Sequence, residues 1–243
     1  MKVDKIILSD ERRAKFHHAL QKFVGKPAHE FAKKNKDELC DVAESIFTEN
    51  EKTLLKSHVS CNSQPIVLIK NLPLPEIMPD SPEYGQRYNL DDTYVLDYAM
   101  HSIAFMIDVR PYIAASTVTH NFWKYRTTLV FHQDGDSTGP LPNHCLLAFM
   151  RGQPGYPTSF IYNNTWKGKI LRVLSYTSKL SPLIPFEFIY RKLSTNIEGE
   201  SGDMIVWNNR VVFHGVMKNV LSIKDKSKRR WAKHLQTYKN TES

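Results

Sequence analysis

Long apolar runs are missing from this chain. No stretch approaches the roughly 18 residues needed to cross a bilayer as a helix, so no membrane span is expected. Cysteine is scarce. Cys40, Cys61 and Cys145 are too few and too scattered for a disulfide framework or a thiolate zinc site, which fits a reducing compartment. The opening Met1-Lys-Val-Asp-Lys-Ile-Ile-Leu-Ser9 lacks an extended apolar segment followed by a cleavage site, so no secretory signal is expected. Internal repeats and low-complexity linkers are absent too. These absences point to a soluble, cytoplasmic protein, read as a single domain over residues 1–243. That length suffices to bury a sizeable core.

Charge is unbalanced. The formal net charge is +8, carried largely by Arg12-Arg13, Lys15, Lys33-Lys34 and Lys36, and by Lys224-Asp-Lys-Ser-Lys-Arg-Arg230. Such runs can attract nucleic acid, but they are more often solvated faces. Aromatic residues do not interleave with the N-terminal charges as a base-stacking platform requires. Nucleic acid is therefore the less favoured partner, and a small molecule the favoured one.

Residues from about 10 to 57 have helical character. Ser9 supplies a cap, Asp10 and Glu11 an acidic first turn, and Phe16, Leu20 and Phe23 recur at helical spacing. A short second helix is expected over 28–32 and a third over 38–55. Residues 65–74 resemble a buried strand, and 91–107 favour a helix. Beyond Pro111 short β runs alternate with turn residues, the pattern of a sandwich or barrel. The expected fold is mainly β (α+β): a double-stranded β-helix, or jelly roll, over 65–243, with a helical flank over 1–60.

Two histidine contexts carry the chemistry: Leu129-Val-Phe-His-Gln-Asp-Gly135 and Gly202-Asp-Met-Ile-Val-Trp-Asn-Asn-Arg-Val-Val-Phe-His-Gly215. Side chains two apart on a strand share a face, so His132 and Asp134 can act together. The second context reads as a hairpin, turning at Asn208-Asn209 and ending at His214. Two imidazoles and one carboxylate on one side of a metal leave positions open on the other, the facial triad of non-haem Fe(II) oxygenases. An oxygenase using 2-oxoglutarate also needs a grip on the far carboxylate, for which the planar fork of Arg is best suited. Arg230, after His214, is the candidate, with the hydroxyl of Thr158 as a second donor. On a strand over 230–238, Arg230, Ala232, His234 and Gln236 share one face, and Arg229 and Trp231 the other.

The succession Ile66–Leu74, His132-Gln-Asp134, Leu146–Gly152, Pro157-Thr158, Asn209–Gly215 and Arg230-Trp-Ala-Lys233 resembles the clavaminate synthase-like group of Fe(II)/2-oxoglutarate oxygenases, to which taurine dioxygenase is more distantly related. The resemblance spans roughly residues 65–238. It implies that His132, Asp134 and His214 bind Fe(II), and that Arg230 and Thr158 bind 2-oxoglutarate. It further implies hydroxylation of a free amino acid or close derivative with O₂, releasing succinate and CO₂. Many members carry Glu at the Asp134 position, and many place a substrate-carboxylate Arg where this chain has His234. Candidate substrate contacts are thus His234, Arg210, and Asp136 in the loop from Gly135 to Asn143. A nucleic-acid oxidative demethylase and a non-catalytic jelly-roll binding protein are the alternatives.

Overall fold

The structure is a computed structural model. It describes residues 1–60, 65–81, 93–118, 129–134, 142–152, 154–177, 192–216 and 225–239; at some of these, His132 among them, only the backbone is described.

Two sheets face one another. One has the strand order β1 (Asp4–Ile7), β2 (Ile66–Lys70), β8 (Met204–Asn208), β5 (His144–Arg151), β10 (Trp231–Lys239), β3 (Val109–Val118). The other has the order β4 (Leu129–His132), β9 (Val212–Val216), β6 (Thr158–Tyr162), β7 (Thr195–Ile197). Pairing is antiparallel except between β1 and β2. Between the sheets lies an apolar layer including Leu68, Cys145, Leu147, Phe149, Phe160, Ile205, Trp207, Val212 and Ala232.

The other face of the larger sheet is covered by α1 (Asp10–Gln21), α2 (Ala28–Lys34), α3 (Lys36–Ile46), α4 (Glu49–Ser60) and α5 (Val95–Met106), through residues such as Leu146, Ala148, Met204, Val206, Trp231 and Leu235. A sixth helix, α6 (Trp166–Thr177), packs Leu171 on the outer face of the smaller sheet against Phe131, Ile161 and Phe213. No helix is long and apolar enough to cross a membrane among the described residues.

Burial on both faces explains why the strands read as unbroken apolar runs. In β5, Cys145, Leu147 and Phe149 enter the inter-sheet layer, while Leu146, Ala148 and Met150 meet the helices. Alternation exists but both sides are apolar.

Several expectations need correction. The N-terminal flank is not purely helical, because β1 joins the sheet edge. The helix expected over 38–55 is two helices. Phe47 leaves helical geometry at φ −88°, ψ 138°, and Thr48 starts α4 with a capping box: its N–H donates to Glu51 and its hydroxyl accepts from the Glu51 N–H. The hairpin expected around Asn208-Asn209 is a crossover. β8 and β9 lie in different sheets, and His214 sits in the middle of β9 rather than at its end. A turn at Gly202-Asp203 leads into β8: Gly202 has φ +85°, and a Cβ there would meet the Leu72 carbonyl oxygen at 3.0 Å. β1, β7 and α6 had not been expected.

The basic runs are engaged in part, with Lys33, Lys34 and Lys36 exposed. Arg12 pairs with Glu51, Arg13 with Asp10, and Lys15 donates to the Ser45 carbonyl. Arg229 and Arg230 are buried.

Candidate active site

His132 ends β4, and its backbone lies opposite His214 of β9. Asp134 follows in the turn. Its carboxylate is mostly buried, with Oδ2 3.5 Å from His214 Nε2, 3.2 Å from His234 Nε2 and 3.1 Å from the Cys145 thiol, which donates to it. Burial, then the adjacent Asp134 charge, push the Cys145 pKa well up. Cys145 is therefore a neutral S–H donor that orients the carboxylate. Trp207 backs the site: the His234 ring lies parallel to its indole at 5.8 Å, and the His214 ring is tilted against it at 4.8 Å.

Asn209 fixes the position of Asp134. It is fully buried. Its side-chain oxygen accepts from the Asp134 N–H, and its amide donates to the carbonyls of Asp134 and Pro142, each at 3.1 Å. Its backbone N–H donates to Asn143, and its carbonyl accepts from the Gln133 side chain. One residue on the crossover thus ties both ends of the segment 135–141. Asp136 and the rest of that segment lie outside the described residues.

Arg230 and Thr158 are brought together, as the sequence suggested. Arg230 precedes β10, Thr158 opens β6, and Arg230 Nη2 donates to Thr158 Oγ1 at 3.3 Å. The guanidinium lies 4.9 Å from the centre of the Phe149 ring. Its charge meets no carboxylate among the described residues, and burial lowers its pKa to about 10. An arginine so placed remains protonated at neutral pH, a buried fork lacking an anion.

β10 places these groups. Ala232 enters the inter-sheet layer while Trp231 and Leu235 face the helices, so Arg230, Ala232 and His234 share the inner face. The strand is anchored from behind: Lys233 pairs with Asp97 of α5 at 3.3 Å and lies 4.9 and 5.0 Å from the rings of Tyr94 and Trp231. Arg210 is exposed on the crossover, and no contact joins its guanidinium to the cluster among the described residues.

Sequence reasoning missed Asn209 as a clamp and Cys145 and Trp207 as site residues. Asn-Asn read only as a turn, and the other two lay within apolar runs with no local signal.

No family model and no curated protein matches this chain by sequence. Solved structures do. Asparagine oxygenase (AsnO) superposes with TM-score 0.71 at 11% identity, covering 96% of this chain and 92% of its own. The fold is that of a non-haem iron oxygenase. OrfP, a non-heme iron oxygenase solved with Fe and L-Arg, superposes with TM-score 0.66 at 9% identity, covering 97% and 93%. AsnO has also been solved with Fe(II), 3-hydroxyasparagine and succinate, superposing at TM-score 0.70 and 11% identity over 96% and 92%.

The donors present suit a divalent iron ion. A carboxylate oxygen and an imidazole nitrogen lie 3.5 Å apart, a mixed N/O pair of the kind iron accepts, and the backbone of His132 lies opposite His214 in register.

Proposed function

We propose that this protein is an Fe(II)/2-oxoglutarate-dependent oxygenase that hydroxylates an unactivated C–H bond of a free amino acid or close derivative. The observation that carries the reading is Arg230: a buried guanidinium, paired with the Thr158 hydroxyl and meeting no carboxylate among the described residues, on the same strand face as His234 beside Asp134. The facing sheets serve as the double-stranded β-helix. His132, Asp134 and His214 would hold the iron.

Bound there, Fe(II) would supply the oxidative decarboxylation of 2-oxoglutarate and the oxidising power for the C–H bond. In sum, R–H, O₂ and 2-oxoglutarate become R–OH, succinate and CO₂. The chain's own residues orient and shield. Arg230 and Thr158 hold the distal carboxylate of the cosubstrate. Phe149, Phe160 and Trp207 keep water from the inner wall. Asn209 and Cys145 fix the direction of Asp134. The substrate class rests on the fold shared with AsnO, solved with a hydroxylated asparagine, and OrfP, solved with arginine.

The test is succinate release with Fe(II) and 2-oxoglutarate against a panel of free amino acids. One amino acid should stimulate turnover and gain one oxygen atom by mass. Stimulation confined to methylated oligonucleotides would favour the demethylase, and failure to bind Fe(II) anaerobically would favour a non-catalytic binding protein.

A further inference from the structure

Gly199 stands against the ring of Phe149. A Cβ on Gly199 would lie 2.1 Å from Cε2 of that ring and 2.4 Å from both Cδ2 and Cζ. Such close distances to three consecutive carbons would put it over the ring face. Gly199 does not have a positive φ. Its backbone would therefore admit a side chain, and the ring is what excludes one. The same turn holds Phe149 by the main chain. The Phe149 N–H donates to the Asp203 carbonyl, and its own carbonyl accepts from the Gly202 N–H, each at 2.8 Å. The Asp203 carboxylate closes the turn by accepting from the Glu200 N–H at 3.0 Å.

The ring so fixed also carries Arg230. The guanidinium carbon lies 4.9 Å from the ring centre, and both residues are buried. Thr158 Oγ1 accepts from Nη2 of the same guanidinium. An aromatic ring attracts a cation through its quadrupole, most strongly where water is excluded. Unlike a carboxylate, it leaves the N–H fork available to an incoming anion.

We propose that Phe149 is a positioning residue for Arg230, and that Gly199 lacks a side chain so that the ring can sit where it holds the guanidinium for the distal carboxylate of a 2-oxo diacid. This rests on the cosubstrate reading of Arg230 and Thr158 above. A Cβ at position 199 displaces the ring, and with it the contact to the guanidinium, while Arg230 and Thr158 both remain. A smaller side chain at position 149 removes the ring and leaves room for that Cβ.

The experiment is calorimetric titration of 2-oxoglutarate into the full chain loaded anaerobically with Fe(II), with Fe(II) affinity measured alongside. Phe149→Leu and Gly199→Ala should each weaken 2-oxoglutarate binding by about tenfold or more, the size of a desolvated cation–ring contact. Fe(II) affinity should be unchanged in both. A parallel loss of both affinities would mean that the two residues serve only the fold, and would overturn the proposal. The double variant tests the link between them. Once Phe149→Leu has removed the ring, Gly199→Ala should weaken binding no further; losses that multiply would show two independent effects and would also overturn it. Arg230→Ala separates the two readings. Unchanged 2-oxoglutarate binding in Arg230→Ala removes the cosubstrate reading itself. Binding lost there but kept in Phe149→Leu and Gly199→Ala removes this inference alone.

Discussion

The carboxamide of Asn209 grips Asp134 by both of its backbone groups, accepting from the N–H and donating to the C=O at 3.1 Å each. This is how a carboxylate in a turn acquires the rigidity of one on a strand. Asn209→Ala should leave the fold intact but weaken metal binding by about 10–100-fold, the effect of removing an outer partner that orients a ligand. Anaerobic calorimetry with Fe(II) measures it; unchanged affinity would mean that the turn holds its shape without the clamp.

Arg230→Ala should raise the 2-oxoglutarate concentration for half-maximal rate by about 30-fold or more. Losing one partner of a desolvated charge pair costs about 2–5 kcal/mol, and 1.4 kcal/mol is about tenfold. Arg229 precedes the strand, and alternation turns it away from the inner face. Arg229→Ala should change this requirement much less and show itself in thermal stability instead, because Arg229 is buried too. The reverse ranking in a succinate-release titration would show that the register is wrong by one residue.

His101 gives the fold an acid weakness. It is buried on α5, its Nδ1 bonded to the Asp97 carbonyl and its ring 5.8 Å from that of His29. Burial is the main cause that lowers its pKa from 6.5 to about 4. The unfolded chain therefore binds more protons between these values, so stability rises with pH across that window. The contribution is fully present above about pH 6.5 and is lost as pH falls through about 4. Denaturant midpoints from pH 7 to 4 should fall, and His101→Leu should flatten the decline. An equally steep decline in the variant would place the sensitivity elsewhere.

Thr48→Ala should lower unfolding free energy by about 1 kcal/mol, the usual effect of losing a hydroxyl cap. The midpoint in urea should shift with an unchanged slope. No shift would mean that packing of Phe47 alone divides α3 from α4.

The sequence by itself determined the elements that depend on local chemistry. The cap at Ser9 accepts from the Arg12 N–H and starts α1, and the β runs after Pro111 recur as strands. Alternation on the last strand was enough to put Arg230, Ala232 and His234 on one face. Thr48 and Glu51 spelled out a helix start as well, but the continuous helical spacing around them hid it.

Tertiary structure decided what depends on contacts far apart in the chain. Asn208-Asn209 looked like a hairpin turn, because sequence records that the chain bends and not which strand pairs next. Only the pairing of β8 with β2 and β5, and of β9 with β4 and β6, makes it a crossover. Cys145 and Trp207 sat unmarked in apolar runs because both faces of those strands are covered. The turn of His234 toward Asp134, 100 residues away by number, follows from the meeting of two sheets at about side-chain contact distance, and no local pattern encodes that approach.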